Sequence, residues 1–300
     1  MGGASGGALA AAVSGAGGLG LVGGGYADPG WLERELGTVA GTTDRPWGAG
    51  VITWAAGEDA VRLILSYRPA AVFLSFGDPA SYGALVKEAG IRLICQVQDV
   101  AGARRAVAAG ADVVVAQGTE AGGHGDRRAT LPLVPAVVDA VAPVPVLAAG
   151  GITDGRGVAA SLMLGAQGAV LGTRFCATPE SLYPDWAKKR LVAGSGDETS
   201  RTRVFDAARD FGWPAPYTGR ALRNAFVDAW AGREDELRAS AEARERFALG
   251  HGAGDPDVGL VWAGEGTDLI TAVEPAAELT ARIMAQAEAL LRGAARQLDH

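Results

Sequence analysis

Residues 116–126 read AQGTEAGGHGD and set His124, one of only three histidines in the chain, inside a glycine-dense turn. An imidazole titrates near neutrality. When neutral it can take a proton from carbon, and when protonated it can hold an anion. The residues leave both roles open. Gln117 precedes the turn at the end of the apolar run DVVVA, and Gly122 and Gly123 allow the backbone to fold closely against a planar or bulky group. Glu120 is placed either to brace the loop or to take part in chemistry. His251, in a glycine-rich stretch, and His300, the last residue, carry no such context.

A second constellation lies downstream. The run VPVLAA ends in Gly150 and Gly151, and the next apolar run ends in Val170, Leu171, Gly172 and Thr173. Glycines at strand ends let backbone N–H groups approach an anion, and a following helix adds partial positive charge. In (β/α)8 enzymes a phosphate site of this kind follows strands seven and eight. No phosphate-binding GxxxxGK[ST] loop is present. The GxGxxG at Gly15, Gly17 and Gly20 follows no visible strand, so it is a weak dinucleotide fingerprint. No spacing of His, Cys, Asp or Glu suggests a metal site.

The elements that must position these residues alternate in texture. Short apolar runs lie around 19–25 and at 47–54, 70–77, 92–98, 112–118, 144–151 and 169–175, and helix-like stretches separate them. The nearly continuous apolar character of the later runs fits strands buried on both faces, as in a parallel sheet under helices. Repeated βα units at this spacing predict a (β/α)8 TIM-type barrel with its first strand missing before Met1, because the helix-like GGALAAAVSGAGG starts almost at the first residue. The glycine-tipped sixth and seventh visible strands then become strands seven and eight. Residues 179–267 lose the strand pattern and read as a helical insertion or cap, and 273–294 reads as the last helix, with Pro275 in its first turn. The barrel domain is therefore expected over 1–178 and 268–300. A net charge of −7 excludes a phosphate-neutralising nucleic-acid surface, and no apolar run is long enough to span a membrane. Cys95 and Cys176 sit in apolar runs without a CxxC pair, which fits buried thiols and a cytoplasmic setting.

The segments QGTEAGGHGD, AAGGITDGRGVAASLMLGAQGAVLGTRF, AAAVSGAGGLGLVGGG and GRALRN resemble the nitronate monooxygenase family over nearly the whole chain. The EAGGH loop is shared with the related flavin-dependent enoyl-acyl-carrier-protein reductases, so it speaks to the cofactor more than to the substrate. The resemblance implies FMN in a (β/α)8 barrel. Gln117 and Gly122 would lie against the flavin, and Gly150, Gly151 and Val170 to Thr173 (Leu171 and Gly172 between) would hold its phosphate. His124 would be the active-site histidine. The implied reaction oxidises an alkyl nitronate, or a neutral nitroalkane, with O2 to a carbonyl compound and nitrite. The alternatives are an NAD(P)H-dependent enoyl reductase and a truncated barrel that binds flavin without turnover. Two departures stand out. The chain begins at the Met of the family's Ala-Pro-Met-Gly strand end, and Gly50 stands where many relatives carry Asn. Trp186, Trp213 and Trp230 of the insertion are expected to cap the site.

Overall fold

The computed structural model describes residues 1–298, so His300 lies outside the described residues. Seven strands form one parallel sheet: β1 (Gly20–Gly23), β2 (Trp47–Ile52), β3 (Ala71–Ser75), β4 (Arg92–Val97), β5 (Val113–Gln117), β7 (Val146–Ala149) and β8 (Gly168–Val170). They hydrogen-bond in that order, which leaves β1 and β8 as the two edges. The seven expected runs are thus the seven strands, and the barrel is open between the first and the last. Alternating side chains separate two apolar layers. Phe73, Ile94, Val115 and Ala149 fill the inside of the curl. Val72, Leu74, Leu93, Val114 and Val146 face the outer helices. Each fully buried Val, Leu or Ile contributes about 1.5–3 kcal/mol, so both faces of the sheet stabilise it.

Three helices start on aspartate caps. Asp28, Asp99 and Asp154 accept hydrogen bonds from the first-turn N–H groups of Trp31, Gly102 and Arg156. The last helix, Ala276–Leu298, closes against the helix Gly155–Met163. Gly155 makes that approach possible, since a Cβ there would lie 2.5 Å from the Ala287 nitrogen. The buried Arg174 side chain pairs with Glu274 just ahead of this helix and ties it to the end of the barrel.

Residues 179–267 contain the expected helices but also two strands that the sequence pattern did not show, β9 (Thr199–Thr202) and β10 (Thr218–Leu222). TSRT and TGRAL are short and mostly polar, so no apolar run betrays them. They become strands by pairing with β6 (Gly123–Gly125), in the order β6-β10-β9. The helix Glu234–Ala239 ends at Ser240, whose hydroxyl accepts from Ala243 N–H and starts the helix Ala241–Ala253. Among the described residues no helix is long and apolar enough to cross a membrane.

Candidate active site

The two glycine-tipped ends are neighbours. Ala149 of β7 pairs in register with Val170 of β8, so Gly150, Gly151, Leu171 and Gly172 emerge side by side at the carboxyl end of the sheet. Gly150 and Gly151 have φ of +106° and +70°, a region in which only glycine is free of strain. At Gly172 an added Cβ would meet nothing within 4 Å. Neither Gly151 nor Gly172 donates its N–H to an acceptor among the described residues. The Thr173 hydroxyl accepts from Gly264 N–H at 3.0 Å, which walls the cradle on one side. Exposed glycines with unpaired donors at neighbouring strand ends fit an oxyanion group such as a phosphate. Val170 turns its side chain to the inside of the barrel and Leu171 to the outer layer, so their backbones alone face the cradle.

His124 reaches the same end of the barrel from the neighbouring strand β5. Gln117, at the tip of β5, sends the chain into the turn, and β6 carries His124 opposite Gly219 of β10. The pairing requires Gly219, because a Cβ there would come within 2.3 Å of the Trp262 ring. The imidazole is buried. Its Nε2 lies 3.0 and 2.9 Å from the two carboxylate oxygens of Asp206. Asp206 is itself 2% exposed and also pairs with Arg209 at 3.2 Å. The Trp213 indole stacks on the imidazole with centroids 3.5 Å apart and planes 5° from parallel. Trp262 stands at 5.0 Å. Burial lowers the His124 pKa below 6.5, and Asp206 opposes that shift without cancelling it.

The loop between Gln117 and His124 is held from all sides. Gln117 Nε2 donates to the His124 carbonyl at 3.1 Å, and its Oε1 accepts from Gln96 and Gln98. The Gln117 side chain therefore braces the histidine strand. Glu120 accepts from the Thr130 N–H and hydroxyl, so it is a brace as well. Gly122 is packed so that a Cβ would lie 2.6 Å from Thr173 Oγ1 and 2.7 Å from Gly264 N. This glycine locks the histidine loop onto the phosphate-like cradle. Arg201 and Arg220 stand opposite each other on β9 and β10, and both donate to the Thr119 carbonyl. Arg220 is neutralised by Glu265 at 2.8 Å. Arg201 has only neutral acceptors, and burial brings its pKa down to about 10.

Aromatic rings rim the mouth. Tyr26, Trp54 and Phe76 follow β1, β2 and β3, and Phe211, Trp213 and Tyr217 come from the insertion. Beside them, a cavity of about 160 Å³ opens among Ser75, Gln96, Gln98, Asp126 and Tyr217. Of the three tryptophans expected to cap the site, Trp213 alone stacks there. Trp186 packs on His251 and Trp230 on Phe226, both within the insertion. His251 also accepts from Leu260 N–H through Nδ1, a structural role. The sequence reading missed Asp206, Arg201, Trp262 and the two glutamines that hold Gln117. Asp206 sits in RTRVFDAARD, where no spacing relates it to His124. Among the described residues no group of acidic, His or Cys side chains is arranged to hold a metal.

A family model described as nitronate monooxygenase matches residues 1–59 and 50–286. The chain is 36% identical over 316 residues to the nitronate monooxygenase npaC of Metarhizium robertsii, covering 94% of this chain and 88% of that protein. Its fold is similar to that of FabK from Thermotoga maritima, with a TM-score of 0.85 and 31% identity over 99% of this chain and 93% of that one. It is also similar to a nitroalkane oxidase from Streptomyces ansochromogenes, with a TM-score of 0.82 and 30% identity over 97% of this chain and 95% of that one.

Proposed function

Since the chain belongs to the nitronate monooxygenase family, we propose that it binds FMN and oxidises small alkyl nitronates and their parent nitroalkanes with O2 to carbonyl compounds and nitrite. The observation that carries this reading is the meeting of two features at one end of one sheet. Unpaired glycine amides on β7 and β8 form an anion cradle, and Gly122 packs the His124 loop against it. Gly150, Gly151 and the backbone of Val170 to Thr173 would hold the flavin phosphate. Gln117 would lie against the flavin while one N–H of its amide keeps the histidine strand in register. FMN, when bound, supplies the electron acceptor and the centre that reacts with oxygen.

The chain's own residues bind, orient and move a proton. Burial keeps His124 neutral at neutral pH, which suits a base for the acidic α-carbon of a nitroalkane. Arg201, a half-buried guanidinium without a carboxylate partner, contributes positive potential where an anionic nitronate would collect. The aromatic rim excludes water. The absorption spectrum of the purified protein tests the cofactor, and nitrite release from ethyl nitronate in air tests the reaction. Flavin bands with nitrite formation are expected. NADH consumption with an enoyl thioester and no nitrite would replace this reading with enoyl reduction, and bound flavin with neither activity would leave a non-catalytic barrel.

A further inference from the structure

We infer that Asp206 is a positioning residue that fixes His124 in its Nε2–H tautomer and makes Nδ1 the nitrogen that takes the substrate proton; this rests on the proposed oxidation of nitroalkanes. The geometry is specific. Nε2 lies at nearly equal distance, 3.0 and 2.9 Å, from both Asp206 oxygens, and one of those oxygens also accepts from Arg209. A carboxylate already serving a guanidinium has only acceptors to offer, so the imidazole must donate. The other ring nitrogen, Nδ1, has no hydrogen-bond partner among the described side chains, and it is not among the buried polar atoms sealed from solvent without one. Nδ1 is thus a bare lone pair that is not sealed from solvent. Trp213 stacks on the ring face and hinders the ring flip that would carry Nε2 away from Asp206.

The proton step then balances simply. The α-C–H bond of the neutral nitroalkane breaks and its electron pair stays on the substrate as the nitronate. The proton goes to His124 Nδ1, and the resulting imidazolium keeps its Nε2–H bond to Asp206. The charged groups facing the ring are Asp206 and Arg209 from the helix Val204–Ala208 and the residue after it, and Arg201 from β9. Trp213 and Trp262 complete the shell and do not titrate in this range. Asp206 opposes the two arginines and offsets the charge that the imidazole acquires. A preformed nitronate has no proton to give, so it does not need this device.

Two measurements on the holoenzyme test this. The first is a long-range 1H–15N spectrum of the imidazoles, with His124 assigned among three histidines by comparison with His124→Gln. The wild type is expected to show the Nε2–H tautomer at His124. Asp206→Asn, whose amide can present either a donor or an acceptor to Nε2, is expected to show a tautomer mixture, and Asp206→Glu to restore the single form. The second compares kcat/KM for nitroethane with that for ethyl nitronate in each variant. Asp206→Asn should lower the nitroethane-to-nitronate ratio by on the order of 10²-fold, the scale of general base catalysis, with recovery in Asp206→Glu. A structural role would lower both substrates together and leave the ratio alone. An Nδ1–H tautomer in the wild type, or an unchanged ratio in Asp206→Asn, overturns the inference. If Asp206→Asn does not fold, the wild-type tautomer and the Asp206→Glu ratio still decide it. If neither substrate is oxidised by the wild type, the functional reading fails, and the tautomer spectrum alone rules on Asp206.

Discussion

Gly172→Asp isolates the anion cradle from the rest of the fold. Gly172 has an ordinary negative φ of −110° and open space where a Cβ would go, so the substitution should not disturb the apoprotein. Exposed substitutions of this kind usually change stability by about 0.5 kcal/mol or less. A phosphate on the neighbouring amides would lie roughly 5 Å from the new carboxylate. At an effective dielectric between about 40 and 80, one charge facing a dianion at that distance is repelled by roughly 2–3 kcal/mol. Flavin affinity should therefore fall by roughly 20- to 200-fold at low salt, and by less at high salt as the repulsion is screened. Gly172→Asn has nearly the same shape without the charge and should stay within a few-fold of wild type. FMN dissociation constants from fluorescence titration, together with thermal unfolding of the apoproteins, provide the readout. Equal FMN affinity in the Asp and Asn variants, with both apoproteins folded, would refute the assignment of a phosphate to this cradle.

Three further outcomes are expected. His124→Ala should cut nitroethane turnover by on the order of 10²-fold or more while retaining flavin, because the imidazole does not touch the cradle; steady-state nitrite assays and the absorption spectrum check both halves. The depressed His124 pKa makes the folded state bind fewer protons than the unfolded chain just below pH 6.5. Its contribution to stability is therefore full above that pH and is lost as the pH falls through the folded-state value, which urea midpoints from pH 7.5 to 5 measure against His124→Gln, whose slope should be flatter. Burial pushes the Cys95 thiol up to about 12 and Cys176 to about 11, so neither should react with a disulfide reagent at pH 8 until the protein unfolds.

The sheet was legible because buried parallel strands write themselves as apolar runs, and those at 70–77, 92–98 and 112–118 became β3, β4 and β5. The paired glycine tips were legible because strand ends and positive φ both select glycine, as at Gly150 and Gly151. The roof was not. β9 and β10 carry Thr, Ser and Arg, and their identity as strands depends on β6, whose own sequence is Gly-His-Gly. Asp206 was illegible for a related reason. It reads as a first-turn acid in a short helix, and only the folding of 199–222 over the barrel brings it to His124. The tryptophans show the limit of composition. Trp186 and Trp230 share a residue type with Trp213 but pack within the insertion.

The separation in sequence between the two halves of the site has a consequence for the order in which they mature. The glycine tips belong to consecutive βα units and are set side by side by the local pairing of β7 with β8, while the wall at Gly264 joins them only later. The imidazole waits for partners much further along, with Asp206 82 positions away and β10 beyond it. Long-range closures are the slower ones. In a chain emerging from the ribosome the two glycine tips would thus be aligned before the imidazole met Asp206, and the assembled site would arrive last.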